Sequence, residues 1–193
     1  MGPAAKPEIE IELLIYLGDP DEGASMLGTQ ALLGAIDQHR AKLPANDALY
    51  GAMSFTRGKT RLVPLTPDPA IKLLTAIVRT LPYVIDGEPE SVLYTESAHG
   101  YLFEPTGDKI QTSFFRGIDP FEPDEFLSEG HMVPAEEFGA QVVGDAERLL
   151  EILKRVDPKR AGDELASDLA ELLEVGRDAV KNYTLAKEHG LRP

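Results

Sequence analysis

The stretch "SVLYTESAHGYLFEPTGDKIQTSFFRG", residues 91–117, decides the class of fold. It holds three short apolar runs, at 91–97, 100–106 and 109–117, carrying the aromatic and β-branched residues that suit strands. Ala98-His99-Gly100 and Gly107-Asp108 separate them, and both are turn signals. The reading is a β-meander of about three strands.

Upstream, "EIEIELLIYLG" alternates, with Ile9, Ile11, Leu13, Ile15 and Leu17 on one face and Glu8, Glu10 and Glu12 on the other. Period two predicts a strand that is wet on one face at its start. Residues 24–43 place Leu27, Ala31, Gly34, Ala35 and Gln38 near one side, which predicts a helix of about five turns ended by "PAND". "LYGAMSFT" and "TRLVPL" flank "RGK" and predict a hairpin. Residues 68–81 predict a helix through Ile71, Leu74, Ile77, Val78 and Leu81, with Asp68 as N-cap and Pro69 at the first helical position.

Downstream of the meander, two long amphipathic helices are expected. One starts at Pro134, with Phe138, Val142, Leu149, Ile152, Leu153 and Val156 inward. The other begins at 163, with Leu165, Leu169, Leu172, Leu173, Val180 and Tyr183 as its apolar face and Gly190 as its stop. The order is strand, helix, hairpin, helix, meander and two helices, which disfavours a doubly wound parallel sheet. The expected fold is α+β: an antiparallel or mixed sheet of about five to six strands with helices on one face. Residues 1–7 read as a flexible arm and 8–193 as a single domain.

The 193 residues include no Cys, which removes disulfides, thiol nucleophiles and Cys-based metal sites. The start lacks the basic and apolar regions of a signal peptide, and no apolar run reaches membrane-span length. The expected setting is a reducing cytoplasm, away from membranes. The net charge of −14 argues against phosphate-mediated nucleic-acid binding. Its distribution is uneven. Residues 116–151 carry 10 acids and 2 bases, whereas 152–193 carry 8 of each. A charge concentrated in this way is suited to steering a basic partner.

Motifs for chemistry are weak. "RGKT" at 57–60 has Met53 where a phosphate loop needs its first Gly, and a strand rather than a helix follows, so it reads as a hairpin turn. His39, His99, His131 and His189 show no helical metal-ligand spacing, and surface or capping roles suit them. In "TESAHGY", Ser97 and His99 would share a strand face and Glu96 the other, so no local relay forms. No metal or other cofactor is expected.

"RGIDPFEPDEFLSEG", residues 116–130, packs five carboxylates with two phenylalanines and two prolines. Its acids do not follow EF-hand spacing, and Pro123 stands where the backbone must curl. Prolines reduce the entropy lost on docking, and aromatics supply buried area. The expected partner-binding set is Asp119, Phe121, Glu122, Asp124, Glu125, Phe126, Glu129, Glu136 and Glu137. The bland alternative is that both phenylalanines pin the loop to the core while the acids face water.

The meander, the "SFFRGIDPFEPDEF" loop and the long acidic helix together resemble small acidic bacterial immunity-type proteins encoded beside toxins, over residues 90–157. The resemblance implies tight, electrostatically steered binding that occludes a toxin's active site. The expected function is a non-enzymatic binding protein for a basic partner. Two alternatives stay open: a carboxylate enzyme, with or without a divalent metal, and a homo-oligomeric adaptor joined through the last two helices.

Overall fold

The computed structural model describes residues 7–43, 49–159 and 162–192. The expected arm at 1–7 and the "PAND" stop therefore lie almost wholly outside the described residues. Those described form nine strands and five α-helices. The first sheet contains β1 (Glu10–Tyr16), β2 (Met26–Gly28), β3 (Tyr50–Arg57), β4 (Thr60–Arg61) and β5 (Asp68–Pro69). It runs β2-β1-β3-β4, with β5 also on β3. The second contains β6 (Glu90–Leu93), β7 (His99–Thr106), β8 (Lys109–Arg116) and β9 (Glu125–Pro134), in that order. Every pairing is antiparallel.

The protein is thus an α+β fold with an antiparallel β component and long C-terminal helices. Its strands outnumber the expected five to six by β2 and β5, only three and two residues long, and by β9, into which residues 125–130 of the acidic stretch fold. β9 pairs along β8, with Phe126 opposite Phe115 and Val133 opposite Ile110. Two sheets form because each has an apolar face with which to cover the other. Phe55 of β3 lies 5.4 Å from Tyr101 of β7, ring to ring, and the Tyr101 hydroxyl donates to the Met53 carbonyl at 3.4 Å.

Three helices cover this core: α3 (Ala70–Asp86), α4 (Ala135–Val156) and α5 (Glu164–Glu188). Phe138 of α4 packs 5.1 Å from Phe103, and α5 rests on α3 and α4. α4 also caps the part of β1 that β2 does not reach. Gln141 accepts from Ile11 N at 2.8 Å and donates to Ile9 O at 3.2 Å, while Asp145 accepts from Leu13 N at 2.8 Å. Residues four apart share a helix face, so one stripe of α4 satisfies three edge groups of a strand.

Three local expectations change. Residues 24–43 do not form one helix. Met26–Gly28 pair with β1, and two short α-helices follow, α1 (Thr29–Gly34) and α2 (Ile36–His39), with a 3-10 turn at Arg40–Lys42. Strand pairing satisfies the backbone of Leu14–Tyr16, and two glycines in the segment weaken a helix. Asp68 does not cap α3. It is buried, and its Oδ1 accepts from Thr95 N and Glu96 N at 2.9 and 3.0 Å, tying the β6–β7 turn to the first sheet. α3 also runs through Pro82 to Asp86, because the buried Val84 and Ile85 extend its apolar face. The hairpin at 57–60 and the final helix, N-capped by Asp163 on Ala166 N, form as expected.

Candidate docking surface

The loop between β8 and β9 occupies 117–124. Its neck is closed by Gly117, whose φ of +140° lies where only glycine is at ease. A Cβ there would meet Asp124 N at 2.9 Å, so the two ends of the loop touch. The Gly117 amide donates to Ala98 O at 2.9 Å, fastening the neck to the β6–β7 turn. Asp119 accepts from Phe121 N at 2.9 Å, and Arg116 pairs with Glu125 at 2.8 Å across the base. Further along β9, Ser128 Oγ donates to Leu62 O at 2.6 Å and lies 2.6 Å from His131 Nε2. Burial pushes the His131 imidazole below its ordinary value.

On this braced frame Asp119, Glu122, Asp124, Glu125 and Glu129 all face solvent. The phenylalanines are not core pins. Phe121 is 74% exposed and Phe126 39%, the latter edge-on to Phe115 at 6.5 Å. Ile118, which sequence reading passed over, is the most exposed large apolar residue described, at 83%. An isoleucine and a phenylalanine three apart in a polar loop were the signal that could have found it.

Glu136 and Glu137 stand apart from this group. They occupy the first turn of α4, at the far end of β9, and are half-buried. β9 is bulged and runs alongside only Lys109–Arg116 of β8, so a strand rise of about 3.3 Å per residue puts them roughly 25 Å from the loop. Glu136 accepts instead from Thr184 of α5 at 3.2 Å.

Acid chemistry elsewhere has other employment. Asp145 is buried and accepts from Leu13 N, Thr29 Oγ1 and Arg148 at 2.8, 2.5 and 2.8 Å, so both oxygens are engaged structurally. Burial raises its pKa, and burial followed by Asp145 itself raises Glu12. Ser97 Oγ and His99 Nδ1 lie 3.0 Å apart, but the Glu96 carboxylate accepts from Tyr50 at 2.7 Å, so the three form no relay. Asp19, Asp21, Tyr50, Glu96 and Ser97 help line a hollow of about 410 Å³. Among the described residues no three His, Asp or Glu are grouped to hold a metal ion, and no helix is long and apolar enough to cross a membrane.

What the fold and site define is an antiparallel α+β protein with apolar side chains held outward inside an acidic rim. The chain matches no family model, no curated protein and no solved structure.

Proposed function

We propose that this protein is a non-enzymatic binding protein that engages a basic protein through the 117–129 loop and strand. The observation that carries this reading is Ile118 and Phe121 held in water, on a braced loop, inside a rim of carboxylates. A protein interface has this anatomy, an apolar centre with a polar rim. Its most concrete version is a cytoplasmic immunity protein that neutralises a cognate bacterial toxin, as the resemblance over 90–157 implies. The apolar stripe of α5 packs on α3 and α4, which leaves less of it for the homo-oligomeric alternative.

The test is association kinetics with the cognate partner, captured from the native host, at two salt concentrations. Replacing Glu122, Asp124 and Glu125 by Ser should slow association and flatten its salt dependence, because rim charges act on encounter. An unaltered rate with an unaltered salt slope would overturn the reading. For the immunity version, co-expression should relieve the growth arrest caused by the partner, and the Phe121→Ala variant should relieve it less.

A further inference from the structure

A second cavity lies at the opposite end of β8 from the acidic loop. It has a volume of about 280 Å³, where the β7–β8 turn, the start of α4, the end of α3 and Tyr183 of α5 meet. Ile85 and Ile110 contribute apolar wall. A Cβ on Gly87 or Gly107 would meet nothing within 4 Å, so the glycine side of the cavity borders open space. The acceptors at the end of α3 are already taken. Arg192 donates to Ile85 O at 2.5 Å and to Asp86 Oδ1 at 2.6 Å, and the Gly87 amide donates to Val84 O at 3.2 Å. In the β7–β8 turn, Asp108 pairs with Lys187 at 3.8 Å. The donors are left over. Tyr183 is 5% exposed, and its hydroxyl, closed from water, has no hydrogen-bond partner. Lys109 is exposed and has no ion pair among the described residues, and register sets it opposite Pro134, beside the start of α4. Ala135, the first residue of α4, lines the cavity, and the N-cap Pro134 offers that helix end no side-chain hydrogen bond. The positive end of the helix dipole therefore adds to the same side. Glu136 is engaged by Thr184, and neither it nor Glu137 lines the cavity. Two cations, Lys109 and Arg192, stand against one acid, Asp86, in a chain whose net charge is −14.

We propose that this cavity binds a small carboxylate with an apolar body. Lys109 and the Tyr183 hydroxyl meet the carboxylate, and Ile85 and Ile110 cover the body. A buried hydroxyl without a partner costs free energy, which an acceptor on the ligand recovers. The guanidinium carbon of Arg192 lies 5.5 Å from the centre of the Tyr183 ring, so the Arg192 side chain shifts as the ligand reaches the hydroxyl. Charge excludes a cation, which would meet Lys109 and Arg192, and a bare inorganic anion would leave the apolar wall uncovered. The volume is just under the roughly 300–1,000 Å³ of drug-sized sites, which suits a smaller molecule. The proposal is independent of the docking surface, which lies beyond the other end of β8 and carries the opposite charge.

The experiment titrates the isotope-labelled full chain with benzoate, benzamide and inorganic phosphate, followed by amide chemical shifts. Benzoate should give saturable shifts at Gly87, Gly107, Ile110 and Ala135, with a dissociation constant of about 1 mM. Benzamide has the body without the charge, and phosphate has the charge without the body. Each should bind at least about tenfold more weakly. Lys109→Ala, at an exposed position, should keep the melting temperature and weaken benzoate about tenfold. Tyr183→Phe removes only the unpartnered hydroxyl, so it should hold or raise the melting temperature and also weaken benzoate. If Tyr183→Phe does not fold, Lys109→Ala alone decides. Absence of saturable shifts at these four amides would overturn the site. Equal binding of benzamide would overturn the role of charge, and equal binding of phosphate would overturn the apolar body. Benzoate affinity unaltered by the foldable variants would place the ligand elsewhere and refute the proposal. None of these outcomes bears on the acidic loop.

Discussion

Phe121→Ala and Phe115→Ala, six positions apart, should behave oppositely in the free protein. Phe121 keeps 74% of its surface in water, so truncation removes only a quarter of its burial. Complete burial of such a side chain is worth about 1.5–3 kcal/mol, which leaves roughly 0.4–0.8 kcal/mol at stake. Phe115 is 0% exposed and fixed between Gly100, Leu93 and Phe126. Truncating a buried phenylalanine costs about 3–5 kcal/mol, the lost transfer energy plus the cavity left behind. With a urea dependence of about 2 kcal/mol per molar, the midpoint should fall by under about 0.4 M for Phe121→Ala and by roughly 1.5–2.5 M for Phe115→Ala. The assay is equilibrium urea unfolding followed by far-ultraviolet circular dichroism. If Phe121→Ala lowers the midpoint as far as Phe115→Ala does, the loop aromatic is a core pin, and a docking surface built on it has no foundation.

Leu169→Ala and Leu173→Ala should each cost about 2–5 kcal/mol in the same assay, because both side chains are buried under α5, and unchanged midpoints would show that the helix is not docked. Burial, working against hydrogen bonds from Thr29 and Arg148, raises the Asp145 carboxyl; burial also raises Glu12 and Asp68. A carboxyl that holds its proton more tightly folded than unfolded contributes its stability below the ordinary carboxylate range and loses it as pH rises through the folded value. The melting temperature should therefore rise as pH is lowered from neutrality through the folded values to the ordinary carboxylate range, about 4, and Asp145→Asn should flatten that rise; a falling profile refutes the assignment. Calcium, magnesium or zinc at about millimolar concentration should leave the melting temperature within error, whereas a tight site saturated a hundredfold would add ~2.7 kcal/mol, so a shift of several degrees reversed by chelator would contradict the site reading.

Much of the molecule follows from local pattern. The period-two run at 8–18, the three apolar runs of the meander and the two long amphipathic segments after Pro134 each carry their periodicity within a few residues. That periodicity sufficed for the α+β class and for most of the buried faces of β1, α4 and α5; Leu165, expected on the inner face of α5, is 38% exposed, and Ala166 beside it is buried instead. The crowding of acids into 116–151 likewise needs no coordinates, and it singled out the loop. Tertiary structure decided what depends on partners distant in sequence. Residues 24–43 became a strand, two short α-helices and a 3-10 turn because β1 was available to pair with. Asp68 became a tie for Thr95 and Glu96, and Asp145 a cap for Leu13, because those amides arrive from other elements. Glu136 and Glu137 lie close to the acidic loop in number yet far from it in space, since the extended β9, paired along the length of β8, runs between them. Leu93 and Gly100 join Phe115 and Phe126 only through strand register, which no local window contains. Side-chain alternation says which residues share a face of one strand, but the neighbours on the next strand are set by pairing, and pairing is a property of the folded chain.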